Sequence, residues 1–136
     1  MSKTMKNSNL LKISQHYHWN DFHPEEWDPS KDYMIRRRVV EICETIRKAW
    51  NHPVIVKRGV RTKAAHDLLA EHGKASPNSA HVKGLACDFY CTDDELRWKA
   101  INVLLGQGVT RIGIAKTYIH FDIDPYKEPH QIWVIK

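Results

Sequence analysis

Two stretches decide how this chain reads: Ser79-Ala80-His81-Val82-Lys83-Gly84-Leu85-Ala86-Cys87-Asp88 and Tyr118-Ile119-His120-Phe121-Asp122. In the first, Leu85 to Tyr90 has strand composition, and His81 stands in the loop ahead of it. Asp88 follows His81 by seven residues, well inside that strand. Gly84 lets the backbone turn between them, and Ala86 leaves the strand face beside Asp88 uncluttered. In the second, Ile119, Phe121 and Ile123 alternate with His120 and Asp122. Period-2 geometry therefore puts His120 and Asp122 together on the face turned away from the core. Asp88, set among Leu85, Ala86, Cys87, Phe89 and Tyr90, would be costly to bury unpaired, which favours a metal or a cationic partner. Two imidazoles and one carboxylate, with a fourth position left for water, make a catalytic zinc set. A metal held in this way lowers the pKa of its water from 15.7 to about 7 and polarises a carbonyl.

Around these stretches the pattern predicts α+β, with a mostly antiparallel sheet packed with helices and a metal site on the sheet face. Residues 1–12 read as a flexible start, and residues 13–136 as a single domain. Residues 13–30 mix aromatic and polar groups and read as an irregular segment laid over the core by Tyr17, Trp19, Phe22 and Trp27. A first helix is expected from an Asp28 cap with Pro29 at its first position. Its apolar face would carry Ile35, Val39, Ile42, Cys43, Ile46 and Trp50, and it would stop near Asn51. Val54-Ile55-Val56 reads as a short strand. Thr62 caps a second helix with Ala65, Leu68, Leu69 and His72 on one face, ended by Gly73. Ser76-Pro77-Asn78-Ser79 has turn chemistry. Thr92-Asp93-Asp94-Glu95 reads as a capping box for a third helix through Leu96, Ala100, Val103 and Leu104. Arg111–Ile114, Tyr118–Ile123 and Gln131–Ile135 read as three further strands.

The chain has 136 residues, 42% of them hydrophobic and 27% charged, enough for one core and too apolar for intrinsic disorder. Three cysteines are too few for a disulfide framework; Cys43 reads as core, and Cys87, which with Cys91 could suggest a metal pair, faces opposite to Asp88 and reads as core too. No apolar run reaches the roughly 18 residues of a membrane span, and the start of the chain lacks the apolar region of a secretory signal. The net charge of +5 fits an acidic partner, either nucleic acid or an anionic cell wall. Of nine histidines, His16, His18, His23, His52, His66, His72 and His130 read as surface or packing residues. Arg36-Arg37-Arg38 reads as a solvated helix face, and Trp133 as core or cleft wall.

The pattern S-x-H-x-x-G-x-A-x-D with a late H-x-D resembles the zinc D-Ala-D-Ala carboxypeptidase and peptidoglycan endopeptidase family. That family includes phage endolysin peptidases and shares its fold with the hedgehog signalling domain. The likeness runs over roughly residues 13–135. Ile13 to Phe22 is similar to the family's N-terminal docking segment, and Pro53 to Thr62 to its strand and G-[YF]-R-[ST] turn. Arg111-Ile112-Gly113-Ile114 stands where relatives carry a strand before the third ligand. The resemblance implies zinc as cofactor, with His81, Asp88 and His120 as its ligands. It implies that Arg61 reaches the scissile carbonyl or a substrate carboxylate, where a guanidinium stabilises developing charge, and that Ser79 and Tyr118 contact substrate.

Many relatives carry an acid three residues before the third ligand, where this chain has Thr117. Asp122 is therefore the candidate general base, with a ligand-orienting role as its alternative. The function expected is hydrolysis of amide bonds in D-amino-acid-containing peptidoglycan stems or cross-links by a monomer, with no nucleic-acid or membrane partner. The protein would be cytoplasmic when made and act on the wall after release, like a phage lysin, or on muropeptides inside the cell. A non-hydrolytic zinc-binding interaction domain of the same fold is the alternative, and a basic nucleic-acid binder or metal nuclease ranks below it.

Overall fold

The computed structural model describes residues 11–74 and 78–136. The chain is α+β, built on a five-stranded sheet of order β1-β2-β4-β3-β5. The strands are β1 (Val56–Arg58), β2 (Ala86–Tyr90), β3 (Arg111–Ile114), β4 (Tyr118–Asp122) and β5 (Gln131–Val134). Neighbouring strands are antiparallel except for β3 and β5, which run parallel. The sheet is thus mixed, with its one parallel pair at an edge. The helices are α1 (Trp19–Phe22), α2 (Arg37–Trp50), α3 (Lys63–Glu71) and α4 (Asp94–Gly106).

Alternation along the strands separates two faces. Cys87 and Phe89 of β2, Ile112 of β3, and Ile119 and Phe121 of β4 are fully buried on one of them. There they join Val39, Ile42, Cys43 and Ile46 of α2 and Ala100 and Leu104 of α4 in one cluster. Each large aliphatic or aromatic side chain buried this way contributes about 1.5–3 kcal/mol. The Trp50 indole N–H donates to the Leu96 carbonyl at 2.9 Å and ties α2 to α4. The opposite face of the sheet carries Asp88 and His120.

The first long helix starts at Arg37, not beside Asp28. The Asp28 carboxylate instead accepts from the Ser30 backbone N–H at 2.8 Å and closes a local turn. Residues 33–36 are then held out of helix by partners elsewhere. The Ile35 N–H donates to His23 Nε2 at 3.0 Å, and the Arg36 N–H to the Gly84 carbonyl at 2.9 Å. Ile35 is consequently buried ahead of the helix and not on it. The expected strand 54–56 lies two residues further on, at Val56–Arg58. Thr62 caps α3 by accepting from Ala65 N–H at 3.1 Å, but α3 buries none of its residues, so its expected apolar face packs on no core. Asp93, not Thr92, caps α4 by accepting from Leu96 N–H at 2.9 Å.

Of the expected flexible start, residues 1–10 lie outside the described residues. Lys12 forms a bridge with His18, and the Trp19 N–H donates to the Leu11 carbonyl at 2.6 Å. Ser76 and Pro77 of the expected turn also lie outside the described residues. Among those described, no helix is long and apolar enough to cross a membrane.

Candidate metal centre

One row of residues crosses the sheet from edge to edge. Arg58 on β1 pairs with Asp88 on β2, Asp88 with His120 on β4, His120 with Gly113 on β3, and Gly113 with Trp133 on β5. His81 joins this row from the turn that precedes β2. One donor atom from each of His81, Asp88 and His120 lies within 4.8 Å of the others. Asp88 Oδ1 is 3.2 Å from His81 Nε2 and 2.8 Å from His120 Nδ1.

His81 is fixed from two sides by the turn after β1. Its Nδ1 lies 2.8 Å from the Gly59 carbonyl oxygen, and its own carbonyl accepts from the Arg61 N–H at 3.0 Å. Gly59 can reach this position because it has no Cβ, which would clash with the Phe22 backbone. A carbonyl can only accept, so Nδ1 of His81 carries its proton and Nε2 is left to face Asp88. His120 is fixed from behind, where Nε2 lies 2.8 Å from Asp122 Oδ2. That carboxylate accepts a hydrogen bond from Nε2–H, and Nδ1 faces Asp88.

Both near nitrogens therefore converge on one carboxylate oxygen. Protons on both rings satisfy this arrangement, and so does a single cation shared by all three donors. Two neutral imidazoles and a carboxylate, each oriented by a further partner, are the donor chemistry of a catalytic zinc site. The residues present fit such an ion.

The electrostatics follow from this packing. Burial pushes the Asp88 carboxyl up, but its hydrogen bonds with His120 and His81 outweigh burial and hold it well below the usual carboxylate range. Burial lowers the His120 pKa, but Asp122 and Asp88 on either side of the ring outweigh it and leave His120 above its ordinary value. Burial likewise opposes ionisation of Asp122, and His120, with Arg111 behind it, reverses the sign.

Asp122 shares a strand face with His120, as the alternation requires. Both of its oxygens are already engaged, however, Oδ2 by His120 and Oδ1 by Arg111 Nε at 2.9 Å, and its side chain is 1% exposed. It meets His120 on the side of the ring away from Asp88 and His81. Asp122 thus stands where it can orient His120, with each of its oxygens already accepting a hydrogen bond. Arg61 is half-buried, and burial followed by repulsion from Arg58 lowers its pKa. Ser79 is buried two residues ahead of His81. Tyr118 lies on the site face of β4, with the Lys57 ammonium 4.9 Å from its ring centroid. Trp133 walls the site, its ring 5.6 Å from His120 and 5.0 Å from the Arg111 guanidinium.

Sequence reasoning does not single out Arg58, whose Nη1 lies 3.3 Å from Asp88 Oδ2. Nor does it single out Arg111, which contacts Asp122 and Trp133. Arg111 could have been found from strand alternation, which sets it two residues from Gly113 on the site face. Arg58 lies beyond the expected strand 54–56, and its direction depends on the register shift between Val56 and Arg58.

The family model described as Peptidase M15 matches residues 8–124 of the chain. Searches of the curated proteins and of the solved structures find no match.

Proposed function

The chain belongs to the peptidase M15 family, and from that premise we propose that it is a zinc-dependent hydrolase of amide bonds in peptidoglycan stem peptides or cross-links. The observation that carries the reading is the convergence of His81 Nε2, Asp88 Oδ1 and His120 Nδ1, with the far side of each imidazole committed to an acceptor. A zinc ion bound by these atoms supplies an acidified water and a polarised substrate carbonyl.

The chain's own groups do the rest. Gly59 and Asp122 hold the two imidazoles in the tautomers that turn a lone pair toward the centre. His120 and, after it, Arg111 favour the ionised form of Asp122, and Arg111 holds it in place, so that Asp122 serves as an orienting carboxylate. Arg61, beside the turn that clamps His81, supplies positive charge for the developing oxyanion or a substrate carboxylate. Trp133 and Tyr118 flank His120 on the same face of the sheet and bound the substrate cleft. The net charge of +5 favours approach to an anionic wall. That suits a phage-type lysin released from the cell in which it is made.

Digestion of purified peptidoglycan followed by mass spectrometry of the muropeptides tests the reading. New stem-peptide termini are expected with zinc, and none with a chelator or with His81→Ala. Zinc bound tightly with no cleavage of any stem peptide would instead establish the non-hydrolytic zinc-binding module. The engagement of both Asp122 oxygens is the observation that favours that rival.

A further inference from the structure

Neither the donor set nor the family match accounts for Arg58. In an unbroken strand, Val56 and Arg58 would point to the same face. Here Val56 pairs with Phe89, a fully buried core residue, whereas Arg58 pairs with Asp88. Two steps along β1 correspond to one step along β2, and the register slips between them. This irregularity turns Arg58 out of the core face and onto the face of the candidate metal centre, a re-aiming for which sheets use bulges.

What Arg58 meets there is specific. Asp88 divides its two oxygens: Oδ1 faces both imidazoles, and Oδ2 faces Arg58 Nη1 at 3.3 Å. The Asp88 side chain is 3% exposed and that of Arg58 40%, so the guanidinium stands at the mouth of the site and reaches inward. Arginine suits this place because it stays charged and presents several donors in a planar fork. An aspartate with both oxygens free can hold a divalent cation through one oxygen or through both. A catalytic zinc site takes three protein ligands and keeps a fourth position open.

We propose that Arg58 is a positioning residue for the metal centre, which by holding Oδ2 of Asp88 restricts that carboxylate to donating through Oδ1 alone. The inference rests on the zinc reading above. Removing the guanidinium would free Oδ2 to join Oδ1 on the ion beside the water, which would raise the coordination number from four to five and crowd the open position.

The test uses the full chain loaded with Co2+, whose visible bands are intense in four-coordinate sites and weak in five-coordinate ones. Wild type, Arg58→Met and Arg58→Lys are compared at equal metal loading, with the melting temperature of each metal-free protein measured alongside. The expected result is a loss of band intensity in Arg58→Met, recovery toward wild type in Arg58→Lys, and little change in metal-free melting. Superimposable spectra for wild type and Arg58→Met overturn the proposal. So does a spectral loss that Arg58→Lys fails to reverse and that accompanies a fall in metal-free melting, since Arg58 then serves only the fold. Failure of the wild type to bind either Co2+ or Zn2+ is a separate outcome that overturns the zinc reading and this inference with it.

Discussion

Asp122 reaches His120 from behind the ring: its Oδ2 lies 2.8 Å from Nε2, while Nδ1 on the other side of the ring lies 2.8 Å from Asp88 Oδ1. The imidazole is thus pinned between two carboxylates, one that shares the candidate metal position and one that Arg111 holds in place. An outer carboxylate of this kind sets the tautomer of the ring and raises its basicity as a ligand.

Asp122→Asn is therefore expected to weaken zinc binding by about 10–100-fold, with turnover recovering at saturating zinc. Titration against a chelating indicator, with peptidoglycan hydrolysis followed over a zinc series, measures both. Unchanged zinc affinity with turnover lost at every zinc concentration would restore Asp122 to the role of base.

Zinc should also stabilise the fold, because the three donors come from separate parts of the chain that unfolding disperses. At a free zinc concentration 100 times the dissociation constant, the gain is about 2.7 kcal/mol. Thermal denaturation with and without a chelator should show this gain in wild type. Asp88→Asn should lose it while remaining folded.

Gly113 occupies the point where the residue row passes under Trp133. A Cβ there would lie 2.9 Å from Trp133 Cε2 and 2.7 Å from Ile135 Cδ1. Gly113→Ala is expected to cost about 1–3 kcal/mol of stability in urea unfolding, as overpacking usually does. Both neighbours are side-chain atoms on or beside the edge strand, so the companion change Trp133→Leu should return part of the loss.

Far from the centre, Glu44 governs an acid-sensitive anchor. Its carboxylate accepts from Ser14 Oγ at 2.6 Å and from the His16 backbone N–H at 2.7 Å, fastening the N-terminal segment to α2. Burial raises its pKa, but the hydrogen bonds from Ser14 and His16 outweigh burial and leave it below the ordinary 4.5. A depressed folded pKa means that the stabilisation is complete above pH 4.5 and is lost as pH falls through the lower folded value. Glu44→Gln should cost about 1–2 kcal/mol at pH 7, and the difference from wild type should vanish in acid, as urea unfolding over a pH series can show. A difference that persists unchanged below pH 3 would contradict the assignment.

Much of this was legible in the residues themselves. Alternation in β4 predicts that Ile119 and Phe121 are buried while His120 turns the other way, because a strand has only two faces. The helical spacing of Val39, Ile42, Cys43, Ile46 and Trp50 likewise marks one face of α2, and all five are buried. Local propensity misled where a tertiary partner was stronger. Asp28-Pro29 has the chemistry of a helix start, yet hydrogen bonds from Ile35 to His23 and from Arg36 to Gly84 hold the following residues extended. Gly84 allows that docking with its φ of 72° and a bare Cα against the Met34 carbonyl.

Taken by itself, the sequence determined the strand faces, the burial of the core and the candidacy of His81, Asp88 and His120, because residue spacing encodes direction within a single element. It did not determine which nitrogen of each ring faces Asp88, nor that Asp122 stands behind its neighbour with both oxygens engaged. Those depend on the Gly59 carbonyl and on Arg111, which come from other parts of the chain. Arg58 marks the boundary most sharply. Alternation assigns it to the same side as Val56, and only the slip in register between β1 and β2 turns it toward Asp88. Register is a property of two strands paired together, so neither strand read alone contains it.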